Sequence, residues 1–482
     1  MPVTTPVPAL TVDRVRQVVP YLESWLAWQV EHRGVPGAQV AIRLGRELVH
    51  SSAHGVADER TGEPLRPDHL FRVASHSKSF TATAVLRLVE QGRLRLDDTV
   101  GERLPGMAGS DLAQVSVREL LGHTGGIVRD GIDADWWQLE AAFPDRDQLL
   151  ALAREVGKVY EPQRFFKYSN IGYGLLGLVI EEVTGQGYAE HLTADVLGPL
   201  GLADTGPEQD PVRAGDYAAG HSRPHGRERG RVGVDHVDTG ALAAATGFGS
   251  TAVDLSRFFA AHVLGDDELL SDRSKRLMQR AESSVVRAGS ADAYGLGLVI
   301  TSIGGRRLVG HSGGYPGHIT RTMVDPDSGL GVCVLTNAVD GPAEPLARGL
   351  VELVDLLLGE DGAAGPLPTG VGEAELDRVC GRYHSLWSVV DLVRGGDRVV
   401  RLNPSTPSPL DVAEELHVED ATTLRVADTH SFGAPGEQVR ISLDAEGRVE
   451  CIRLAGVSHW PQERYDRRRA EHWSRPGERR PG

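Results

Sequence analysis

The sequence predicts an α/β (α+β) fold in which an antiparallel sheet is flanked by helices. Strand patterns occur early, within residues 37–50, and return late, within 307–335, while helical patterns dominate much of the chain between them. Early and late strands around a helical insert indicate one antiparallel sheet built from both ends of the segment. Beyond it, short strands separated by turn residues predict a second, small all-β domain.

The predicted elements follow from local patterns of apolar and turn residues. Within 37–50 two strands flank a tight turn, and Asp325-Pro326-Asp327-Ser328-Gly329 is a turn between two late strands. In chain order, the prediction is a helix over 12–30, two strands within 37–50, helices from 75 to about 197, strands over 307–311, 319–324 and 331–335, and a helix over 351–358.

Four segments are predicted along the chain. The first domain covers residues 1–360, and 361–375 is a linker rich in glycine, alanine and proline. Residues 376–463 are expected to form the small all-β domain, with strands such as 389–393 and 398–402. The Arg- and Pro-rich tail, 464–482, is expected to be disordered or loosely docked.

Composition excludes several classes of function. The 482 residues carry a formal net charge of −16, whereas nucleic acid and anionic membranes require a basic surface. Cys333, Cys380 and Cys451 lie far apart without metal-ligand spacing, so neither a disulfide framework nor a metal site is expected. No signal-peptide pattern and no membrane-spanning segment is found, which predicts a soluble, cytoplasmic protein. No cofactor is expected.

Lysine is rare in this chain, and Lys78 follows Ser75 by three residues. Only Lys78, Lys158, Lys167 and Lys275 are lysines among 51 basic residues, so arginine serves almost wherever a positive charge suffices. A buried ammonium can lose its proton and act as a base, whereas a guanidinium stays protonated. The alternative is arginine-rich codon usage.

The residues after Ser75 predict a buried helix over 77–91, because they are apolar almost all round and end at Gly92. Ser75 then lies at the helix N-terminus, and Lys78 returns to the same face. This is the arrangement of an activated nucleophile. The alternative is that Ser75 only caps the helix.

A second motif is Tyr168-Ser169-Asn170, which precedes an apolar helix. Ser169 or Asn170 can cap that helix, which would explain both residues without catalysis. Tyr168 can act as a base only if its pKa falls from ~10, and a nearby ammonium would favour that shift.

A third motif is His311-Ser312-Gly313-Gly314, at the end of a predicted strand. Glycines allow close approach of backbone to a ligand, and the N–H of Gly314 can pair with that of Ser75 to hold an oxyanion. The alternative is a glycine-rich turn carrying a surface histidine.

In this order and spacing, the three motifs resemble those of the penicillin-recognising serine hydrolases, the superfamily of class C β-lactamases, DD-peptidases, D-aminopeptidases and related esterases. The resemblance extends over roughly residues 8–360 and includes the stretch Val117–Ile127. It implies a β-lactamase/transpeptidase-like fold, in which an all-helical lobe lies beside the antiparallel sheet. The C-terminal module resembles the lipocalin-like domain of D-peptidases and penicillin-binding-protein-type thioesterases.

The resemblance also implies a mechanism. Lys78 and Tyr168 would share removal of the proton from Ser75, which forms an acyl-enzyme, and Asn170 would orient Lys78 and the substrate amide. The N–H groups of Ser75 and Gly314 would form the oxyanion hole, with Gly313 in support. His311 stands where β-lactamases have lysine, which lowers the expectation of β-lactamase or carboxypeptidase activity.

The expected function is hydrolysis of amide or (thio)ester bonds in small peptides with a D-residue at the acyl position. The alternative is a penicillin-binding-protein-type thioesterase that closes a nonribosomal peptide with a C-terminal D-residue head to tail. A scaffold on an inactive hydrolase fold is a third class. The expected partner is a small peptide or peptidyl-thioester, with a peptide synthetase carrier domain for the cyclase; a homo-oligomer is left open.

Overall fold

The structure is a computed structural model, and it describes residues 10–225, 230–287, 290–359, 367–427 and 435–472. The described residues form two compact units. The sheet unit comprises Leu10–Val12 and Arg33–Ala347. The barrel unit comprises Asp13–His32 and the described residues from Arg348 onward.

The described residues of the sheet unit contain thirteen strands. They are β1 (Gly37–Leu44), β2 (Glu47–Asp58), β3 (Glu63–Pro64), β4 (Phe71–Arg72), β5 (Gly220–His221), β6 (Gly233–Val234), β7 (Gly249–Ser250), β8 (Ser283–Arg287), β9 (Ser290–Tyr294), β10 (Val299–Ile303), β11 (Arg306–Tyr315), β12 (His318–Val324) and β13 (Leu330–Thr336).

Nine of these strands form one antiparallel sheet in the order β3-β2-β1-β13-β12-β11-β10-β9-β8. β4 pairs with β7, and β5 pairs with β6. At the centre the early strand β1 lies against the late strand β13, with Ala38 opposite Thr336 and Leu44 opposite Leu330. The predicted sheet of early and late strands is confirmed.

Helices occur in both units, and most of them belong to the sheet unit and lie in sequence between its early and late strands. Along the whole chain they are α1 (Val12–Arg33), α2 (Ser77–Glu90), α3 (Val100–Arg103), α4 (Val117–Leu121), α5 (Arg146–Val156), α6 (Asn170–Thr184), α7 (Tyr188–Leu192), α8 (Gly198–Leu200), α9 (Ala243–Thr246), α10 (Ala252–Ala260), α11 (Asp272–Met278), α12 (Ala343–Leu358), α13 (Glu373–Val379) and α14 (Gln462–His472).

Helix α2 is buried along almost its whole length and packs against α6 and α9. Its apolar residues on all sides explain this position, because a helix that is apolar all round has no face suited to water. The helix ends just before Gly92, whose φ of 70° lies in the left-handed region that glycine favours. The predicted buried helix and its glycine stop are confirmed.

The patterns in the sequence did not predict β8, β9 and β10. Ser283 and Ser284 open β8, and Ser290 opens β9, so these strands lack a continuous apolar face. They lie at one edge of the sheet, where backbone pairing with the neighbouring strand holds them. Hydrophobic periodicity cannot indicate a strand of this kind.

The barrel unit is a closed barrel of eight antiparallel strands. They are β14 (Gly381–His384), β15 (Val389–Gly395), β16 (Arg398–Leu402), β17 (Glu414–Asp420), β18 (Thr423–Val426), β19 (Gln438–Leu443), β20 (Val449–Leu454) and β21 (Val457–Pro461). Apolar side chains such as Leu392, Val399 and Ile452 form its buried core. The predicted small all-β domain is confirmed.

Helix α1 packs within the barrel unit. Tyr21 donates a hydrogen bond to Asp391 at 3.0 Å, and Trp28 lies beneath the guanidinium of Arg382, 4.9 Å from its ring centroid. The first helix of the chain therefore contacts residues more than 350 positions away. The domain limits at 360, 375 and 463 stay predictions.

The segment expected as a linker lies partly outside the described residues, and its last three residues begin α13. The segment expected as a disordered tail begins as helix, because α14 continues to His472; residues 473–482 lie outside the described residues. In the part of the chain that the structure describes, no helix combines the length and hydrophobicity needed to cross a bilayer.

Candidate active site

Ser75 lies in the 3₁₀ turn Ala74–His76, directly before the N-terminus of α2. The hydroxyl of Ser77 holds this turn, since it donates to the carbonyl oxygen of Ala74 at 2.6 Å and accepts from the backbone N–H of Phe248 at 3.1 Å. Ala74 has a φ of 48°, a conformation that a residue other than glycine keeps only where its surroundings impose it. The nucleophile candidate is therefore fixed at the end of a buried helix.

Lys78 is completely buried and reaches the Ser75 hydroxyl. Its Nζ donates to Ser75 Oγ at 3.2 Å, to Asn170 Oδ1 at 2.8 Å and to the carbonyl oxygen of Ala245 at 2.7 Å. Burial holds the pKa of Lys78 well below its usual range, because the charged form loses its hydration. A lysine in this state can accept a proton from the serine that it touches.

Tyr168 contacts the same oxygen from another direction. Its hydroxyl donates to Ser75 Oγ at 2.8 Å, and Lys78 Nζ lies 4.7 Å from the centroid of its ring. Two groups capable of proton transfer therefore meet at one hydroxyl. This is the geometry that general-base catalysis of serine attack requires.

The structure distinguishes the two interpretations of the second motif, helix capping and a place in the site. Ser169 is the N-cap of α6 and accepts the backbone N–H of Gly172 at 2.9 Å, so the capping function falls to it alone. Asn170 instead directs its amide oxygen at Lys78. Asn170 is 2% exposed. It is a buried polar group whose orientation depends on its partners.

Asp130 is a member of this group that sequence reasoning missed. Its carboxylate accepts the Asn170 amide N–H at 2.6 Å and the indole N–H of Trp137 at 3.1 Å. The Arg129 guanidinium pairs with the other carboxylate oxygen at 2.9 Å. Asp130 lies 40 positions before Asn170 in a segment without helical or strand periodicity, so no local pattern indicates the contact.

His311 is buried, and both of its ring nitrogens are hydrogen-bonded. Its Nε2 accepts the Tyr294 hydroxyl at 3.0 Å, and its Nδ1–H donates to the carbonyl oxygen of Ser312 at 2.6 Å. Burial, with the nearby His76 and Lys78, holds the pKa of His311 well below its usual range. The third motif therefore provides a neutral imidazole whose nitrogens both have partners. Tyr294, on the unpredicted strand β9, was also missed.

The glycines of the third motif differ in the space around them. A Cβ on Gly313 would lie 2.2 Å from the carbonyl oxygen of Val73 and 2.3 Å from Thr320 Oγ1. A Cβ on Gly314 would meet only Ile319 Cδ1, at 3.6 Å. Gly313 thus allows β11 to lie against the turn that carries the nucleophile. The oxyanion role of Gly314 stays a prediction.

An aromatic wall borders Tyr168. The ring of His123, another residue that sequence reasoning missed, lies 4.3 Å from the Tyr168 ring between centroids, and the Phe166 ring lies 6.4 Å from it. Burial holds the pKa of His123 well below its usual range.

Phe166 also lines a cavity of about 510 Å³ beside the wall. Its lining residues are Arg118, Glu119, Thr124, Gln163, Arg164, Phe165, Phe166, Glu282, Ser283 and Ser284.

Two further histidines next to the motifs, His76 and His318, are buried. His76 hydrogen-bonds the carbonyl oxygen of Val73 at 3.0 Å and Thr322 Oγ1 at 3.1 Å, and burial lowers its pKa to about 3. His318 packs against Phe71 at 5.5 Å between ring centroids, and burial lowers its pKa as well.

Comparison with known proteins decides the family. The Beta-lactamase family model matches residues 22–356, well over half of the chain. The chain belongs to the Beta-lactamase family. The penicillin-recognising serine hydrolase superfamily predicted from the motifs is thereby confirmed, and the protein is a serine hydrolase by family.

Two relatives of this Beta-lactamase family member are penicillin-binding proteins. Penicillin-binding protein 4 of Amycolatopsis lactamdurans is 29% identical over 350 residues, which cover 65% of this chain and 84% of the relative. Penicillin-binding protein 4* of Bacillus subtilis is 29% identical over 290 residues, which cover 57% of this chain and only 62% of that protein.

Solved structures cover both units. SurE is 27% identical with a TM-score of 0.59, and the match covers 93% of this chain and 99% of SurE. The D-amino acid amidase of Ochrobactrum anthropi, complexed with D-phenylalanine, is 27% identical with a TM-score of 0.59 over 70% of this chain and 97% of the amidase. An octameric penicillin-binding protein homologue of Pyrococcus abyssi, at 24% identity and a TM-score of 0.63 over 92% and 99% of the two chains, shows the fold alone.

In this Beta-lactamase family member, the structure brings Ser75, Lys78, Tyr168 and Asn170 into one hydrogen-bonded group. His311 lies near Lys78 but hydrogen-bonds Tyr294 and the Ser312 carbonyl oxygen. The chemical role of each predicted residue stays a prediction.

The space around Gly313 predicts a large effect of one methyl group. Gly313→Ala would place its Cβ against Val73 and Thr320, so the turn before α2 must shift. We expect a loss of about 1–3 kcal/mol in the free energy of unfolding, measured by chemical denaturation, with lower activity. Gly314→Ala is the matched control and should change stability little. Equal stability of the two variants would contradict the close packing.

Proposed function

We propose that this protein cleaves amide or (thio)ester bonds of small peptides through an acyl-enzyme on Ser75, and that the residue at the acyl position is a D-residue. The observation that carries the proposal is the double contact at the Ser75 hydroxyl. Lys78 Nζ and Tyr168 Oη both hydrogen-bond this oxygen, and Lys78 is buried in a way that favours its neutral form.

The reaction begins when the Ser75 hydroxyl loses its proton to Lys78 or Tyr168 and its Oγ attacks the carbonyl carbon. The carbonyl oxygen becomes an oxyanion, for which the backbone N–H groups of Ser75 and Gly314 are the proposed donors. As the intermediate collapses, the bond to the leaving amine, alcohol or thiol breaks, and that group takes a proton from the Lys78–Tyr168 pair.

Water then completes the cycle. It loses a proton to the same pair, attacks the acyl carbon and displaces Ser75 Oγ, which regains a proton. The products are a carboxylic acid and the free enzyme. If the amine at the other end of the peptide replaces water, the same step gives a macrocycle.

The state of His311 supports a substrate without a required free carboxylate. A permanent cation suits a carboxylate ligand, whereas His311 is buried and neutral, and both of its ring nitrogens have partners. This favours peptide amides and (thio)esters over β-lactams or peptides recognised by their free C-terminus.

Two structural neighbours support the D-residue. The Ochrobactrum enzyme is a D-amino acid amidase and was solved with D-phenylalanine, and SurE was solved with D-Leu at a TM-score of 0.54 to this chain. The rings of His123 and Phe166 beside Tyr168 offer apolar surface for a substrate side chain.

The test is a stereochemical pair of substrates. Linear peptide thioesters that end in a D-residue or in its L-isomer are incubated with the wild type and with Ser75→Ala, and products are identified by mass spectrometry. We expect D-selective release of linear acid by the wild type alone. A product lighter than the acid by one water would establish the cyclase instead. L-selective turnover, or turnover by Ser75→Ala, would contradict the proposal.

A further inference from the structure

The orientation of Asn170 matters because its amide has two different ends. The oxygen can accept a hydrogen bond from Lys78, whereas the NH₂ group would present donors to a nitrogen that itself donates. In the structure the oxygen faces Lys78 Nζ at 2.8 Å and the NH₂ group faces away. A group behind Asn170 must therefore stabilise this end-to-end orientation.

Asp130 is that group. Its Oδ1 accepts the Asn170 amide N–H at 2.6 Å, and a carboxylate, having only acceptors, cannot pair with the amide oxygen if the amide turns over. The reversed orientation would place two acceptors together at Asp130 and donors together at Lys78. Both contacts therefore favour the observed orientation of the Asn170 amide.

Asp130 is itself held in place. The Trp137 indole N–H donates to the same Oδ1 at 3.1 Å, and the Arg129 guanidinium pairs with Oδ2 at 2.9 Å. Asp130 is only 9% exposed, so its carboxylate needs these hydrogen-bond donors in place of water. A chain of contacts thus runs from Arg129 and Trp137 through Asp130 and Asn170 to Lys78.

We propose that Asp130 is a positioning residue for acyl transfer: it fixes the amide of Asn170 so that the amide oxygen holds Lys78 against Ser75. The inference rests on the proposed function, because it assigns a task within the same reaction. Asp130 does not touch the substrate, and it acts through Asn170.

The carboxylate also acts on Lys78 electrostatically. Its negative charge raises the pKa of Lys78, against burial and the Arg129 cation, which lower it. The groups that face Lys78 are the Ser75 hydroxyl, the Tyr168 and Tyr173 rings, Asn170, Arg129 with Asp130, and the neutral histidines His123 and His311.

The sign of the pH effect follows. Lys78 serves as a base only when neutral, so activity rises with pH through its pKa. Removing the charge at position 130 lowers that pKa, and the acid limb of the pH profile moves to lower pH. We therefore expect the acid limb of Asp130→Asn to lie at lower pH than that of the wild type.

Two variants separate hydrogen bonding from charge. Asp130→Ala removes the acceptor, and the rate of Ser75 acylation at saturation should fall about 10-fold to 100-fold, while KM stays within about 3-fold. Asp130→Asn keeps an oxygen that can accept from Asn170, so it should restore most of the rate but keep the acid shift. Asp135→Asn is the matched control, since Asp135 is an exposed carboxylate in the same segment.

The readout is the rate and pH profile of Ser75 acylation by an activated ester, followed by intact-protein mass spectrometry. A rate of Asp130→Ala equal to that of Asp135→Asn, or an acid limb that does not move in Asp130→Asn, would overturn the inference while leaving the proposed function intact. A wild type that the ester does not acylate would overturn the proposed function, and this inference with it.

Discussion

Replacing Lys78 with arginine is expected to reduce kcat/KM for acyl transfer by about 1000-fold or more, because the site keeps its positive charge and loses its base. The guanidinium stays protonated at any working pH and cannot accept the Ser75 proton. Rates should be measured on a peptide thioester or an activated ester, and the fold should be checked by thermal unfolding.

Lys275→Arg is the matched control for that experiment. Lys275 is also fully buried, and its Nζ donates to the carbonyl oxygen of Val263 at 2.8 Å, far from the Ser75 contacts. It reports the cost of fitting a guanidinium into a lysine site. Turnover retained in Lys78→Arg would remove Lys78 from the mechanism, and loss of activity in both variants would point to damage of the fold.

Replacing Tyr168 with phenylalanine should slow acyl transfer by about 100-fold to 10,000-fold, because the group that donates to Ser75 Oγ at 2.8 Å is deleted while the ring remains. Binding uses the ring more than the hydroxyl, so KM should change little. Burst kinetics separate acylation from deacylation, and both steps are expected to slow because both need a proton transfer at this position.

Tyr173→Phe provides the comparison for Tyr168→Phe. The Tyr173 hydroxyl donates to the carbonyl oxygen of Leu121 at 2.7 Å, and its ring lies 5.6 Å from Lys78 Nζ. Its loss should cost about 1 kcal/mol of stability and little activity. A silent Tyr168→Phe, or a Tyr173→Phe that is equally slow, would contradict the role given to Tyr168.

The motifs that carry the site could be predicted because each is local. Lys78 follows Ser75 by three residues, which a helix places on one face, and Ser169 with Asn170 marks the start of α6. The glycine after α2 and the apolar pattern of β1, β12 and β13 are likewise local signals, and they indicated the sheet and the buried helix correctly.

The rest of the site depends on contacts between distant parts of the chain. Asp130 reaches Asn170 from a segment without periodicity, and Tyr294 reaches His311 from a polar edge strand. His123 was read only as part of a resembling stretch, although its φ of 56° and its position against Tyr168 make it a wall of the site. No spacing rule links these positions.

The third motif shows a further limit of prediction from sequence. A histidine in place of lysine predicts a weaker cation. Only the structure shows that burial keeps the His311 imidazole neutral, and that Tyr294 and the Ser312 carbonyl oxygen hydrogen-bond its two ring nitrogens. The packing of α1 within the barrel unit is similar, because contacts such as Tyr21 with Asp391 join opposite ends of the chain.

The most direct test of the account is to trap and locate the acyl group. Wild type, Ser75→Ala and Lys78→Arg are mixed with an activated ester, quenched in acid within the first turnover, digested and mapped by mass spectrometry. The account predicts one acyl group on Ser75 in the wild type and none on that peptide in either variant. Acylation at another residue, or equal labelling of Lys78→Arg, would contradict it.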